Sequence, residues 1–204
     1  MGVGEGVVER TGKGAVYIAS SRTASVGDHV YQLQFTPEMK AWILANNSHM
    51  FYFSCSLRIL RPGLVGGVNQ IIRVGQNGTA YALAAQEGSA VLSTSLSGLP
   101  TPNRTTDKAP GLVRVSAAGR GKDTDRNVDI TSLVDWFLTG GPLSSASANK
   151  AVDFIVHDFY FEDFTVSGRN FSDVDPLFAL KHAQIHGPNG RYAGDTWRDP
   201  ATIA

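Results

Sequence analysis

Residues 50–59 read Met-Phe-Tyr-Phe-Ser-Cys-Ser-Leu-Arg-Ile, and this stretch decides the fold class of the chain. From Phe51 to Ile59 every second residue is apolar, and the residues between them are mostly polar. Successive side chains of a strand point to opposite faces of a sheet, so this period of two predicts a strand that lines a core. Cys55 lies on the apolar side, and we interpret it as a small buried hydrophobic residue rather than a nucleophile.

The rest of the chain repeats this pattern in short segments that are separated by turns rich in glycine and proline. Further strands are predicted at residues 16–20, 29–35, 70–74, 81–86, 90–96, 111–117 and 152–166. Short helices are predicted to begin at Thr36, Asp129 and Ser172, where a capping side chain precedes an apolar side. Many short strands with isolated helices are typical of an all-β sandwich or barrel.

The long strand at 152–166 changes the phase of its apolar residues near His157 and Asp158. Such a change predicts a bulge, in which two residues of one strand oppose one residue of its neighbour. We also expect adjacent strand residues to point to opposite faces. His157 with Asp158, and Glu162 with Asp163, are therefore not expected to act together on one substrate.

Composition excludes several classes of function. The 18 basic and 18 acidic residues cancel, and we find no basic run, so we expect neither nucleic acid nor a membrane as a partner. Charged residues make up only 18% of the chain, which fits a surface partly covered by neighbouring subunits. A single cysteine and the lack of a signal-peptide pattern favour folding in a host cytoplasm.

The metal-binding patterns are incomplete. His182 and His186 are four residues apart on a predicted helix but lack the glutamate of a zinc motif, so we interpret them as a helix-surface pair. Residues 123–129 are rich in aspartate like the start of a calcium loop, yet Val128 and Val134 occupy the positions where an EF-hand needs Gly and Glu. We assign no metal, cofactor or catalytic residue, and calcium binding at 123–129 stays open.

Aromatic side chains are the candidates for contacts with a glycan or a protein partner. Trp42 and Trp136 have helical spacing with other apolar residues and are expected in the core. Trp197 lies in a polar segment near the end of the sequence. We predict partner or glycan contacts at Arg191, Tyr192 and Trp197.

Two regions of the sequence carry a family resemblance. Residues 159–169 read Phe-Tyr-Phe-Glu-Asp-Phe-Thr-Val-Ser-Gly-Arg, and residues 190–197 read Gly-Arg-Tyr-Ala-Gly-Asp-Thr-Trp. With residues 41–53, they resemble tailed-bacteriophage virion proteins that have concanavalin A-like jelly-roll domains, found in tail fibres, spikes and head or neck decorations. The resemblance covers roughly half of the chain. It implies an antiparallel jelly-roll β-sandwich with a few short helices in loops and near the C-terminus.

The same resemblance implies attachment to a virion and, in some members, glycan binding, but it supplies no catalytic residue. We expect an attachment arm at residues 1–15, a jelly-roll sandwich at 16–170, and a helix-and-tail appendage at 171–204. The predicted function is a non-enzymatic structural subunit of a virion that contacts other virion subunits and further copies of itself. The alternative is a carbohydrate-binding module for host-surface glycans, and a polysaccharide depolymerase is a third hypothesis.

Overall fold

The structure, a computed structural model, describes residues 6–22, 32–33, 35–62, 70–77, 80–86, 111–123, 128–129, 138–139 and 152–203. The strands are β1 (Gly6–Arg10), β2 (Val16–Ser20), β3 (Gln32–Leu33), β4 (Phe51–Arg61), β5 (Gln70–Asn77), β6 (Ala80–Gln86), β7 (Gly111–Gly119), β8 (Lys122–Asp123), β9 (Val128–Asp129), β10 (Leu138–Thr139) and β11 (Asp153–Asp163). The helices are α1 (Pro37–Ala45), α2 (Phe164–Ser167) and α3 (Phe171–His186), and a 3-10 turn covers Pro200–Thr202.

Most of the described elements are strands, and the pairs that define the largest sheet are antiparallel. This five-stranded sheet has the order β1-β2-β11-β4-β7. A four-stranded sheet has the order β3-β10-β5-β6, and β8 pairs with β9. The prediction of a mainly β, antiparallel chain with a few short helices is therefore confirmed.

The local sequence signals are confirmed where they are strongest. Helix α1 begins as predicted, because the Thr36 side chain accepts a hydrogen bond from the Met39 amide and Pro37 occupies the first turn. The predicted strands around β2, β4 and β7 are present. The predicted strand at 90–96 and most of the helix after Asp129 lie outside the described residues.

Strand β1 was not predicted. Gly6–Arg10 pairs with β2 along its whole length, although residues 1–15 were interpreted as an arm. The division into arm, sandwich and appendage stays a prediction. Residues from each of these segments nevertheless pack on the same five-stranded sheet.

Strand β11 carries the predicted bulge. Val156 pairs with Leu57 and Asp158 with Ser56, so His157 is the extra residue. The strand ends at Asp163 rather than at residue 166. The Asp163 carboxylate accepts hydrogen bonds from the amides of Thr165 and Val166 and caps α2, which turns the chain away from the sheet.

One face of the five-stranded sheet, here called the inner face, is lined by a single apolar cluster. The apolar residues of β4 lie there as the alternation predicted, and Cys55 is fully buried among them. Helix α1 adds Ile43 to this cluster. Trp42, which was expected in the core, is instead 51% exposed.

The opposite face, here called the outer face, is covered by α3 and by residues 187–203. Two apolar clusters lie on it. One surrounds Tyr17 and Ile155 and includes Tyr192 and Ile203, and the other surrounds Tyr52 and Phe164. No helix in the described part of the chain is long and apolar enough to span a bilayer.

Candidate functional site

Polar side chains converge on the outer face between its two apolar clusters. They come from β4, β7, β11 and α3, and we call this set the polar layer. Its members are Ser54, Ser56, Arg58, Arg114, Ser116, His157, Asp158, Asp175, Lys181, His182 and His186.

An ion pair holds α3 to β7 at one end of the polar layer. Asp175 accepts both guanidinium nitrogens of Arg114, at 2.7 and 3.0 Å, and also the Ser116 hydroxyl at 2.6 Å. Tyr52 donates a further hydrogen bond at 3.1 Å. Burial alone would raise the pKa of the Asp175 carboxyl, but these hydrogen bonds lower it below its ordinary value.

Ser56 joins two histidines of α3 at the other end. Its hydroxyl oxygen lies 2.8 Å from His182 Nδ1 and 2.8 Å from His186 Nε2. Residues four apart on a helix share one face, and here that face is turned towards the sheet. The interpretation of His182 and His186 as a helix-surface pair is therefore not what the structure shows.

The bulge brings a third histidine to this group. The ring centroid of His157 lies 4.5 Å from that of His186 and 4.8 Å from that of Tyr192. The next residue, Asp158, forms an ion pair with Lys181 of α3 at 2.7 Å. Both side chains thus face the outer side, and the expectation that adjacency separates them was wrong because the bulge interrupts the alternation.

Burial disfavours the charged form of each histidine in the polar layer. Burial lowers the pKa of His157 to about 3, with further lowering by His186 and Arg58. Burial likewise lowers the pKa of His186 to about 4, and it lowers the pKa of His182. His157 Nδ1 is buried without a hydrogen-bond partner among the described residues.

This geometry differs from that of a nucleophilic triad. Ser56 is only 4% exposed and lies beneath α3, so a substrate has no open approach to its hydroxyl. A triad also needs a third group that orients the base. Within the described ranges, no hydrogen bond joins His182 or His186 to a carboxylate, and no three acidic, histidine or cysteine side chains are placed to hold a metal.

The acidic residues of β11 are separated and individually paired. Glu162 accepts two hydrogen bonds from Arg169, at 2.8 and 2.6 Å, whereas Asp163 contacts His49 Nδ1 at 2.7 Å. The prediction that Glu162 and Asp163 serve different faces agrees with these partners. Asp158 is paired with Lys181, so Asp158 and Glu162 do not form an acid–base pair.

An open cavity of about 230 Å³ lies beside the start of α3. We call it the arginine cavity. Its polar lining comes from Arg120, Thr165, Arg169 and Asn170, and its apolar lining from Met50, Ala118, Phe164 and Phe171. No local sequence pattern predicts this cavity, because its two arginines are 49 positions apart.

The three predicted contact residues differ in exposure. Arg191 is exposed, and its guanidinium lies over the Tyr192 ring at 5.1 Å. Tyr192 is buried, and its hydroxyl donates to the His157 carbonyl at 2.7 Å. Trp197 packs on the cluster around Tyr17, with the Arg58 guanidinium 5.4 Å from its ring centre. Their partner contacts stay a prediction, with Arg191 the most accessible of the three.

The aspartate-rich segment at 123–129 is described only at its ends. Lys122–Asp123 pairs with Val128–Asp129, and residues 124–127 lie outside the described residues. Calcium binding stays open.

Among the residues that the structure describes, most of the large apolar side chains that remain exposed are on helices. These residues are Val8, Met39, Trp42, Leu44, Val166, Leu177 and Leu180. Leu177 and Leu180 are on the side of α3 that faces away from the sheet, and they are 53% and 62% exposed. The apolar side predicted for α3 is therefore divided, because Phe178 and Ile185 pack on the sheet.

No protein-family model, no curated protein and no solved structure matches this chain.

Proposed function

We propose that this chain is a non-enzymatic structural subunit of a bacteriophage virion, a fibre, spike or decoration protein. It acts through contacts with other virion subunits and with further copies of itself. The sequence resemblance suggests the virion, and the exposed apolar side chains of α1 and α3 support the assembly role. We further propose that the two larger sheets form a concanavalin A-like jelly-roll sandwich.

The observation that carries the assembly role is the outer surface of α3. This helix packs on the sheet through Val174, Phe178 and Ile185, and its other side exposes Leu177 and Leu180 to solvent. Single exposed leucines are ordinary in monomers, but neighbouring ones on a helix are typical of a face that is covered in an assembly. Another subunit that covers this face would remove both leucines from water.

The non-enzymatic part of the proposal is supported by the polar layer. Its serine and histidines are the most reactive group of side chains in the described part of the chain, and α3 covers them. Glu162 and Asp158 of β11 are each paired with a cation, and Asp163 is bonded to His49. A measured turnover of host-surface polysaccharide by the purified protein would contradict this part.

Self-association can be tested by sedimentation velocity on the whole chain. We expect the wild-type protein to form an oligomer and the Leu177→Gln, Leu180→Gln double variant to sediment mainly as a monomer. Glutamine keeps the helix propensity of these positions, so α3 should remain folded. Val8→Thr removes an exposed apolar group from β1 and serves as the matched control. A wild-type protein that is monomeric at all concentrations, or a double variant that associates normally, would overturn the role of α3.

The virion assignment has a separate test. Purified particles of the phage that encodes this chain should yield its peptides by mass spectrometry, at a fixed ratio to the major capsid protein. Its presence in the lysate but not in the particles would refute the assignment. Truncation of residues 187–204 is not a clean test of attachment, since Tyr192 and Ile203 are buried in the outer face.

The carbohydrate-binding alternative is favoured by one observation, the arginine cavity. It combines aromatic walls with several polar groups, as sites for small ligands commonly do. A glycan array probed with the intact protein distinguishes the two roles. A subunit that only assembles binds no glycan on the array, whereas a recognition module binds a defined set.

A further inference from the structure

The polar groups that line the arginine cavity are all hydrogen-bond donors. Asn170 Oδ1 already accepts from the Asp173 amide and the Ser172 hydroxyl, so its amide nitrogen remains for a ligand. Thr165 Oγ1 accepts from the Met50 amide at 2.9 Å, which leaves its hydroxyl hydrogen. The side chains therefore offer hydrogen-bond donors and few free acceptors, and they favour a ligand that is rich in acceptor oxygens.

Two of the side chains that line the cavity are charged, Arg120 and Arg169. Arg169 binds Glu162 through Nε and Nη2, and this carboxylate neutralises it. Arg120 is exposed and has neither a hydrogen bond nor an ion pair among the described residues. A singly charged anion would complement Arg120, whereas a doubly charged group would also be repelled by Glu162.

The apolar part of the lining and the volume restrict the rest of the ligand. Phe164 and Phe171, with Met50 and Ala118, suit the CH-bearing face of a ring. A volume of about 230 Å³ is below the roughly 300–1,000 Å³ that is usual for pockets of drug-sized ligands. One ring with its substituents is the size that fits.

We propose that the arginine cavity binds a single ring that carries one carboxylate, as in a uronic acid unit of an acidic polysaccharide. The carboxylate lies against Arg120 and the free Nη1 of Arg169, where a planar guanidinium suits its two oxygens. Asn170 and Thr165 donate to further oxygens. This site goes beyond the assembly role and gives the carbohydrate-binding alternative a ligand class.

Chemical-shift mapping and titration by NMR test the proposal on the whole chain with three probes. They are glucuronate, its neutral counterpart glucose, and the dianion glucose 6-phosphate. We expect glucuronate to bind at least ten times more tightly than either of the others, and to shift the amides around Thr165 and Asn170. Equal binding of glucuronate and glucose, tighter binding of the phosphate, or no binding of glucuronate would each overturn the proposal.

Variants connect the binding to the cavity. Arg120→Gln should weaken glucuronate binding at least tenfold, and its exposed position should leave the fold intact, which circular dichroism would check. Arg10→Gln removes an exposed arginine on β1 and should bind as the wild type does. An unchanged affinity in Arg120→Gln would overturn the proposal. Sedimentation of the same samples reports self-association separately, so failure of this site and failure of the assembly role can be told apart.

Discussion

The inner face of the five-stranded sheet is lined by one apolar cluster, whereas the outer face has polar side chains between two apolar clusters. Strand β4 contributes to both, with Leu57 on the inner face and Ser56 on the outer face. The inner face requires only that the residues be apolar and of suitable size. The outer face requires specific partners from α3, because each buried polar group needs a hydrogen bond or an ion pair.

The largest effect is expected on the inner face. Leu57→Ala should lower the free energy of unfolding by about 4 kcal/mol, since Leu57 is fully buried and its loss leaves a cavity in the apolar cluster of the inner face. Chemical denaturation measures this change. A substitution to alanine at exposed Val166, which lies on α2 and outside the proposed contact face, should change the free energy of unfolding by less than about 0.5 kcal/mol. Similar losses at both positions would mean that the inner face is not a close-packed core.

The inner face is the part of the fold that could be predicted from the sequence. A period of two over residues 51–59 placed Cys55 and its neighbours correctly, because the alternation is a local property of a strand. Trp42 shows the limit of this reasoning. Its spacing in α1 matches that of Met39, but which side of the helix meets the sheet depends on where the helix lies, and the structure buries Ile43 instead.

A smaller effect, about 3 kcal/mol, is expected when the ion pair of the outer face is broken on one side. Asp175→Leu leaves the Arg114 side chain, which is 6% exposed, without its carboxylate. Replacing both residues, Arg114→Met with Asp175→Leu, should recover much of the loss, since no buried charge then remains unpaired. A double-mutant cycle by urea denaturation checks this. Additive losses in the cycle would show that the two residues do not depend on each other.

The outer face could be predicted only in part. The phase change at His157 correctly predicted the bulge. The polar start of α3 predicted a capped helix that begins at Ser172, whereas the structure has the N-cap at Asn170 and a capping box formed by Asn170 and Asp173. The contacts of Ser56 with His182 and His186 join residues that are at least 126 positions apart. Nothing local specifies such pairs, because they depend on where α3 lies across the strands.

The effect of pH belongs to the outer face alone, and for one histidine over one pH unit it is the smallest of the three. The pKa of His157 is lowered to about 3 and that of His186 to about 4 in the folded chain, against about 6.5 for an unfolded histidine. The unfolded state therefore binds more protons below pH 6.5. Stability that is present above this pH is lost as the pH falls towards 4, by at most about 1.4 kcal/mol per pH unit for each histidine.

Charged groups around the histidines influence how readily each ring is protonated, and therefore how much each contributes to the loss of stability at low pH. Arg58 and Arg114 oppose protonation, while Asp195 favours it, and Asp158 and Lys181 beside the rings are paired with each other. His186→Gln removes one titrating group but keeps a side chain that can bond to Ser56, so the free energy of unfolding should fall less steeply between pH 6.5 and 4.5 than in the wild type. Urea denaturation at several pH values measures both slopes. His49→Gln is unsuitable as a control, because that ring is partly buried and bonded to Asp163. A wild-type stability that is constant over this interval would mean that the three rings are hydrated in solution and that α3 does not cover the polar layer as closely as the structure has it.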